Sequence, residues 1–275
     1  MCGLCGFTGE LVDKETYLRQ MTEKIIHRGP DSDGFYTDAD IAMGFRRLSI
    51  IDLGAGDQPL YNEDKTLVLT FNGEIYNYKV LRAELLEKGH TFVTESDSEV
   101  LLHGFEEWGE ELLPRLRGMF GFAIWNTVKK ELFLARDPFG IKPMHYTRLA
   151  DGRLVYGSEI KSILTHPDVK KVFNPSALDS YLSFQYSVPN ETFFKDICCL
   201  PPAHCLWYRD GEVTLHRYFD PMFTPDEDMT LDEAVEEIDR AFTDSVEAHR
   251  ISDVEVGCFL SSGVDSSYVA SYFGG

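Results

Sequence analysis

Short strand-like segments separated by turns fill the first two thirds of the chain, and this pattern restricts the fold more than any other feature. Apolar runs occur at 66–71, 119–125 and 131–136, and the polar stretch NTVKK between the last two predicts a hairpin. RLVYGSE at 153–159 adds another strand. Two segments with helical apolar spacing interrupt the strands. Strands and helices in this mixture predict a layered α+β domain.

The two helices have recognisable starts. The first follows Asn77 and places Tyr78, Leu81 and Leu85 on one face. The second begins at Ser96, and the spacing Ser-x-x-Glu predicts a capping box, in which each of the two side chains binds the other residue's backbone N–H. Both helices are therefore expected to cover a sheet with their apolar faces.

The composition changes near residue 220, where DPMFTPDEDM has the Pro and acidic content of a linker. The spacing Thr230-x-x-Glu233 then predicts a capped amphipathic helix, and DVEVGCFL at 253–260 predicts a buried strand. SSGVDSS and SYVASYF predict a turn and another helix. The residues expected to face inward from the first helix are Val235, Ile238, Phe242 and Val246. One strand needs sheet neighbours, so we expect a first domain at 1–219 and, at 220–275, a linker and the uncompleted start of a second.

Charge and composition exclude several classes of function. The 275 residues carry a formal charge of −20, which disfavours binding to nucleic acid or to an anionic membrane. No apolar run approaches the ~20 residues of a membrane helix, and the N-terminus lacks the pattern of a signal peptide. Six cysteines are too few for a disulfide scaffold in a chain of this length. We therefore expect a cytoplasmic protein.

The opening MCGLCGF places two thiols within five residues. Removal of Met1 would leave Cys2 with both a thiol and an α-amine, so that the nucleophile carries its own base. Cys2 could instead be a buried structural thiol. It could also form a redox or metal module with Cys5, although a zinc site would need about two more ligands. Position alone leaves these alternatives open.

Three further positions have a functional and a structural interpretation. Asn72 and Gly73, in FNGE, could donate hydrogen bonds to an oxyanion, but Asn-Gly is also a common hairpin turn, which the residues alone favour. Arg47 could bind a carboxylate with two hydrogen bonds, or be a solvated surface cation. Asp97 could bind an ammonium group, or favour a helix N-terminus.

Two polar segments resemble ligand-binding loops. HRGPDSDG at 27–34 is rich in turn residues and is expected to be a loop near the site. LSSGVDSS at 260–267 joins a predicted strand to a predicted helix, where small residues let backbone N–H groups approach an anion. It is not a P-loop, because the lysine of that motif is missing.

Together, these segments resemble a known family. The chain is similar from end to end to glutamine-dependent asparagine synthetases, through the ordered motifs MCGLCGF, HRGPDSDG, RRLSIIDL, FNGEIYNY, ESDSEVLL, RLRGMFGFAIW, LARDPFGIKPMHY and GSEIKSIL. The resemblance implies a four-layer α/β/β/α N-terminal nucleophile glutaminase domain. It also implies that an α/β, Rossmann-like ATP pyrophosphatase domain starts after it, in the synthetase half.

The resemblance assigns roles by position. Cys2 matches the nucleophile, and Asn72 and Gly73 match the oxyanion hole. The positions that match glutamine ligands are Arg47, Leu48, Ser49, Ile50, Ile51, Asn72, Gly73, Glu74 and Asp97; among them, Arg47 matches the carboxylate ligand and Glu74 and Asp97 the ligands of the amino end. The positions that match the ATP loop are Leu260, Ser261, Ser262, Gly263, Asp265, Ser266 and Ser267. The usual loop is SGGxDSS, so Ser262 replaces a glycine, and a side chain there would crowd the pyrophosphate if φ is positive.

The resemblance implies a carbon–nitrogen ligase that uses glutamine as its amido donor. Cys2 would hydrolyse L-glutamine to glutamate and ammonia, and ammonia would amidate an L-aspartate adenylylated by ATP and Mg²⁺. The glutaminase step needs no cofactor, and we expect no metal ligand in this chain. A homodimer is consistent with the resemblance. The alternatives are another carboxylate acceptor or the metal/redox module of Cys2 and Cys5. We expect this chain alone to hydrolyse glutamine without making asparagine.

Overall fold

The computed structural model describes residues 1–49, 56–186, 188 and 190–273. The described residues fall into two compact units, one that ends at Asp220 and one that begins at Pro221. Ile50 and Ile51, two of the predicted glutamine ligands, lie outside the described residues.

The first unit contains twelve strands in its described part. In chain order they are β1 (Gly3–Thr8), β2 (Ser32–Thr37), β3 (Ile41–Arg47), β4 (Leu60–Tyr61), β5 (Leu67–Ile75), β6 (Gly118–Asn126), β7 (Glu131–Arg136), β8 (His145–Arg148), β9 (Leu154–Gly157), β10 (Cys198–Cys199), β11 (His204–Arg209) and β12 (Glu212–Arg217). They form two antiparallel six-stranded sheets, with the orders β10-β8-β9-β1-β3-β2 and β12-β11-β7-β6-β5-β4.

The helices complete the framework. They are α1 (Lys14–Glu23), α2 (Tyr78–Glu87), α3 (Asp97–Trp108), α4 (Ile160–Ile163) and α5 (Pro175–Phe184) in the first unit, and α6 (Leu231–Ala248) and α7 (Val264–Phe273) in the second. Two 3₁₀ helices, Ile26–Arg28 and Gly109–Arg115, connect elements of the first unit. In the part of the chain that the structure describes, no helix is long and apolar enough to cross a membrane.

The two sheets of the first unit enclose an apolar core. Leu4 and Phe45 from the first sheet and Trp125 and Leu134 from the second belong to one buried cluster. Successive strand residues point to opposite faces, so the alternate residues of each sheet face outward. On the outer side of the first sheet, a second buried cluster contains Cys5, Phe7, Leu18, Met21 and Ile163, which brings α1 and α4 onto it.

The outer side of the second sheet is covered by α3. The ring of Phe105 in α3 lies 4.8 Å from that of Phe133 in β7, and Phe133 lies 4.6 Å from Trp207 in β11. Because the neighbours of Phe133 in β7 face the inter-sheet core, Phe133 faces the helix layer. The first unit is therefore a four-layer α/β/β/α sandwich, as the sequence predicts.

The predicted hairpin and the predicted face of α2 are confirmed, but the predicted capping box of α3 is not. β6 and β7 form the expected hairpin, and α2 buries its predicted face. The capping box at the start of α3 is wrong, because the Ser96 side chain accepts from the backbone N–H of Ser98 at 3.2 Å. The Glu99 carboxylate instead accepts from the backbone N–H groups of Val93 and Thr94, both at 2.7 Å. Glu99 thereby fixes the segment before the helix.

The second unit begins with the predicted capped helix. Glu233 N donates to Thr230 Oγ1 at 3.3 Å, and Thr230 N donates to a Glu233 carboxylate oxygen at 2.9 Å, which completes the capping box of α6. Of the predicted inward face, Val246 is buried and Phe242 stacks on the ring of Tyr268 in α7 at 4.4 Å. The other two predictions are wrong: Val235 and Ile238 are 56% and 62% exposed.

The predicted strand at 253–260 is also wrong. All of these residues are described, and they have irregular backbone and exposed side chains. A strand is stable only when a neighbouring strand satisfies its backbone groups, and α6 and α7 are the only regular elements among the described residues of this unit. The same lack of a sheet face explains why Val235 and Ile238 remain exposed. The predicted helix after the turn is confirmed as α7.

Candidate active site

Cys2 lies immediately before β1 and is held by backbone contacts. Its Sγ accepts a hydrogen bond from Leu48 N at 3.3 Å and lies 3.5 Å from Leu48 O. The carbonyl of Cys2 accepts from Arg28 Nε at 2.9 Å, and Arg28 Nη1 lies 3.0 Å from a Glu159 carboxylate oxygen. The N-terminal segment is therefore fixed although it is the end of the chain.

The two cysteines of the opening motif belong to opposite sides of the first sheet: Cys2 directly precedes β1, Cys5 lies within it, and residues three apart in extended chain point in opposite directions. Cys2 packs against the inter-sheet core, whereas Cys5 belongs to the outer core with α1. Cys5 is fully buried, and burial raises the pKa of its thiol to about 12 although the hydroxyl of Thr22 opposes this. A metal or redox module of Cys2 and Cys5 is therefore wrong, and Cys5 is a small core residue, as expected.

Several charges act on the Cys2 thiol. Burial raises its pKa most, and Asp97 adds to this; the backbone N–H of Leu48, the terminal amine and Arg47 lower it, but the net direction is upward. The thiol is consequently protonated at neutral pH and needs a base before it can attack a substrate. The arrangement places a terminal amine and two substrate-binding candidates, Arg47 and Asp97, around one thiol.

The terminal amine is suited to act as a base. In the chain with Met1 present, the pKa of this amine is lowered, first by burial and then by the charges of Arg28 and Lys142, while Cys2 and Asp31 oppose the shift. Lowering the pKa of an amine increases its neutral fraction, which is the form that accepts a proton; the amine with this shift is that of Met1.

Asn72 and Gly73 lie in the middle of β5, opposite Gly121 and Phe120 of β6. The hairpin-turn interpretation of Asn-Gly is therefore wrong. Asn72 is buried, yet its Nδ2 has no hydrogen-bond partner among the described residues. A Cβ atom at Gly73 would lie 2.2 Å from Met119 O, so only glycine fits this position. An unpaired buried amide costs about 1–3 kcal/mol, which indicates a donor reserved for a ligand.

Asp97 is the first residue of α3 and is buried. One carboxylate oxygen accepts from Ile75 N, at the end of β5, at 2.8 Å. Burial, together with the nearby charge of Glu74, raises the pKa of Asp97 to about 7, although the hydrogen bonds from Ile75 and the serines at 96 and 98 lower it. Half-buried Glu74 and buried Asp97 thus form a pair of carboxyl groups at the end of β5.

Arg47 ends β3 and is also buried, and its Nη1 lies 3.0 Å from a carboxylate oxygen of exposed Asp57. Leu48 contacts Cys2, as described above, and Ser49 N donates to an Asp31 carboxylate oxygen at 2.8 Å. Of the predicted loop 27–34, residues 29–31 are a loop; the rest belongs to a 3₁₀ helix and β2. Through Arg28 and Asp31 this segment lies at the site, as expected.

Lys142 is a cation near Cys2 that the sequence alone does not identify as part of the site. Lys142 is buried, its pKa is lowered chiefly by burial, and it interacts electrostatically with Glu74 and Cys2. Buried Asp137 accepts from Ile141 N and Lys142 N, both at 2.9 Å, and so fixes the segment that carries this lysine. The spacing Asp-Pro-x-Gly is a turn signal, but nothing in it shows that the lysine after the turn is buried.

The predicted ATP-loop residues lie in the second unit. Ser261 N donates to Ser266 Oγ at 3.2 Å, and α7 begins directly after Gly263. Ser262 has a φ of 63°, the conformation that favours glycine. The remaining members of this group are Leu260, which precedes the turn, and Asp265 and Ser267, which lie in the first turn of α7.

Comparison with known proteins identifies the first unit. The family model of the glutamine amidotransferase domain matches residues 1–219. The chain belongs to this family. A second model, asparagine synthase, matches residues 237–274 of this glutamine amidotransferase.

Curated relatives of this amidotransferase have related names. The chain is 44% identical to asparagine synthetase [glutamine-hydrolyzing] 1 of Bacillus subtilis, over 98% of this chain and 43% of that protein. It is 36% identical to asparagine synthetase 3 of the same organism, over 100% of this chain and 45% of that protein. The chain thus spans less than half the length of these relatives.

Solved structures support the fold. Glutamine phosphoribosylpyrophosphate amidotransferase from B. subtilis superposes with a TM-score of 0.60 at 18% identity, covering 98% of this chain and 63% of that one. An allosteric regulatory enzyme of purine biosynthesis superposes with a TM-score of 0.58 at 21% identity, covering 80% of this chain and 50% of that one. At these low identities the superpositions show that the amidotransferase shares the fold of these proteins.

Proposed function

We propose that this chain carries the glutaminase half of a glutamine-dependent asparagine synthetase, at residues 1–219, followed at 220–275 by a linker and the start of its ATP-binding domain. The observation that carries the proposal is that the Cys2 thiol is hydrogen-bonded to the backbone of Leu48, directly after Arg47, and is influenced by the charges of both Arg47 and Asp97. The buried amide of Asn72, whose Nδ2 has no hydrogen-bond partner among the described residues, supports the proposal independently.

In this proposal the substrate is L-glutamine. The Arg47 guanidinium binds its α-carboxylate through two hydrogen bonds. The carboxyl groups of Glu74 and Asp97 bind its ammonium group, because an ammonium charge favours their ionised forms. The backbone of Leu48 and Ser49 lines the pocket, and Ile50 and Ile51 are the next two positions that match glutamine ligands. The amide end of glutamine is thereby directed toward Cys2.

The proposed reaction begins with removal of Met1. The Cys2 amine takes the thiol proton, directly or through water, and Sγ attacks the carboxamide carbon. Asn72 Nδ2 and the backbone N–H of Gly73 stabilise the oxygen that becomes negatively charged. The amine then returns the proton to the leaving nitrogen, which departs as ammonia, and water hydrolyses the γ-glutamyl thioester to glutamate. With Met1 present, burial and then the charges of Arg28 and Lys142 lower the pKa of the terminal amine, and we expect them to act on the Cys2 amine in the same direction.

The synthetase half completes the proposal. ATP would bind at Leu260, Ser261, Ser262, Gly263, Asp265, Ser266 and Ser267 and, with Mg²⁺, adenylylate L-aspartate, which ammonia then amidates to asparagine. Ser262 already has the positive φ at which a side chain is unfavourable, so it would crowd the pyrophosphate relative to glycine. We further propose a cytoplasmic protein, on the basis of six unpaired cysteines, which assembles as a homodimer.

The proposed function is tested with the purified chain and L-glutamine. We expect glutamate and ammonia in equal amounts, and no asparagine when L-aspartate, ATP and Mg²⁺ are added. The first result depends on Cys2 and its pocket, all within the first unit. Failure to form glutamate above the rate of a Cys2→Ala variant would overturn the glutaminase assignment. Formation of asparagine would overturn the restriction of this chain to the glutaminase half.

The raised pKa of Asp97 makes a prediction for glutamine binding. Only the ionised carboxylate attracts an ammonium group, so the Kd of L-glutamine should fall as pH rises through about 7. Calorimetry on the catalytically inactive Cys2→Ala variant measures binding without turnover. In that background, Asp97→Asn should weaken binding by about 10- to 100-fold at high pH and remove the pH dependence, whereas Asp179→Asn, at an exposed position, should change neither.

The raised pKa of Asp97 also predicts how the Asp97→Asn substitution changes the stability of the fold, which serves as a control for the binding measurement. Folding raises the pKa of Asp97. The contribution of this carboxyl group to the free energy of unfolding is therefore fully present below the pKa that Asp97 has in the unfolded chain, and it is lost as pH rises through about 7. Asp97→Asn should therefore be at least as stable as the parent at high pH in urea denaturation. A Kd of L-glutamine that does not change with pH in the Cys2→Ala variant with Asp97 intact would contradict this account of Asp97.

A further inference from the structure

We propose that the first unit contains a site for a divalent transition-metal ion of the zinc class, formed by Glu63, His90, His103 and Glu106. These residues come from three separate segments: the turn between β4 and β5, the segment after α2, and α3. One ligand atom from each residue lies within 4.8 Å of those of the other three. The sequence alone predicts no metal ligand, and these four residues do not have the regular spacing of a metal-binding motif.

The separations between these atoms approach those around a shared ion. Metal–ligand bonds of ~2.0–2.2 Å in a tetrahedron place the ligand atoms ~3.3–3.6 Å apart. His103 Nδ1 lies 3.2 Å from Glu63 Oε2, and His90 Nδ1 lies 3.4 Å from Glu63 Oε1. Glu106 Oε2 is 3.9 Å from His103 Nδ1 and 4.0 Å from His90 Nδ1. The Glu106 side chain is 36% exposed, which leaves it room to move inward.

His103 provides an independent observation that points to a ligand. Its side chain is 1% exposed, and Nδ1 has no hydrogen-bond partner in the part of the chain that the structure describes. Yet this nitrogen faces the carboxylates of Glu63 and Glu106 at the distances just given. Buried polar atoms are nearly always hydrogen-bonded. A nitrogen that is close to two carboxylates without a hydrogen bond to either has the environment of a metal ligand.

The other imidazole nitrogens are oriented as in metal sites, where a ligating histidine presents its second nitrogen to a carboxylate. His103 Nε2 lies 3.3 Å from Glu99 Oε1, and His90 Nε2 lies 3.7 Å from Glu107 Oε2. The Glu99 carboxylate, which also accepts from the backbone N–H groups of Val93 and Thr94, is placed to accept from Nε2–H of His103. It can thereby fix the tautomer that leaves His103 Nδ1 to the metal.

The donor set selects the class of metal. Two imidazoles and two carboxylates suit Zn²⁺, Co²⁺ or Ni²⁺, whereas Mg²⁺ and Ca²⁺ prefer oxygen ligands alone. Four protein ligands without an open position are typical of a structural site. The ion would join three segments of the chain, including α3, whose first residue is Asp97. Its role would therefore be to stabilise the helix that presents Asp97. The alternative is a cluster of histidine–carboxylate ion pairs, which needs no metal.

The test uses the tag-free, full-length chain after removal of metal with a chelator. Titration with ZnCl₂ in a calorimeter should give one tight site per chain, and zinc should raise the melting temperature. Titration with CoCl₂ should give the visible absorption of tetrahedral cobalt without a thiolate charge-transfer band. A thiolate band would instead indicate that the metal binds at a cysteine, such as in the separate group of Glu110, Cys205 and His216.

Variants assign the zinc to the proposed ligands. His90→Asn and Glu106→Gln alter side chains near the surface, and each should weaken zinc binding by at least ~10-fold, since even changes beyond the ligands themselves have that effect. His216→Asn is the matched control and should bind zinc like the parent. Absence of zinc binding, unchanged affinity in both variants, or loss of binding only in His216→Asn would overturn the proposal. These readouts do not depend on glutaminase activity.

Discussion

Replacing Cys2 with alanine is expected to abolish glutamine hydrolysis, with kcat lowered at least ~10⁴-fold, because loss of a nucleophile in a hydrolase costs about 10⁴–10⁶. The measurement is the initial rate of glutamate formation at saturating glutamine. Cys5→Ala is the matched control: it removes a thiol from the opposite face of β1, within the outer core. This variant should keep its rate. Substantial activity in Cys2→Ala, or a comparable loss in Cys5→Ala, would contradict the assignment.

The second large effect is expected at Asn72. Asn72→Ala removes the buried, unpaired amide of β5 and should lower kcat about 10²- to 10³-fold with little change in KM, because an oxyanion donor acts mainly in the transition state. The control is Asn77→Ala, which removes an amide whose Nδ2 donates to Arg115 O. It should leave kcat within a few-fold of the parent.

The Asn72 result has to be separated from a loss of folding. Both asparagine variants are therefore compared with the parent by thermal denaturation. A decrease in kcat for a variant with a parental melting temperature supports the oxyanion role. An increase in KM without a change in kcat would contradict it, because that pattern indicates lost ground-state binding.

The layered fold could be predicted from the sequence because its strands and helices have regular apolar spacing. The predictions of local structure are wrong where contacts between distant segments determine the backbone conformation. The Asn-Gly pair at 72–73 has the chemistry of a turn, but β5 continues through it because β6 pairs with every residue from Leu67 to Ile75. The segment 253–260 has the apolar residues of a strand, but the described part of its unit offers no neighbouring strand. In both cases the available strand neighbours, and not the intrinsic preference of the residues, determined whether a strand formed.

The candidate site was predictable in part. Cys2, Asn72 and Asp97 occur in long ordered motifs, and the position of Cys2 behind Met1 has a chemical meaning of its own. Burial is not visible in the sequence, so the raised pKa of Asp97 and the buried Lys142 could not be anticipated. The group of Glu63, His90, His103 and Glu106 was missed for a different reason. Its members are far apart in the chain and meet only when α2 and α3 pack beside β5.

The most direct test of the central claim is peptide mass spectrometry after treatment of the purified protein with a diazoketone analogue of glutamine. The account predicts one covalent adduct on Cys2 at an N-terminus that has lost Met1, and protection of this residue by L-glutamine. That result would establish the processed terminus, the nucleophile and the glutamine pocket together. Retention of Met1, labelling of Cys5 or the absence of an adduct would contradict the assignment of Cys2 as the catalytic terminus.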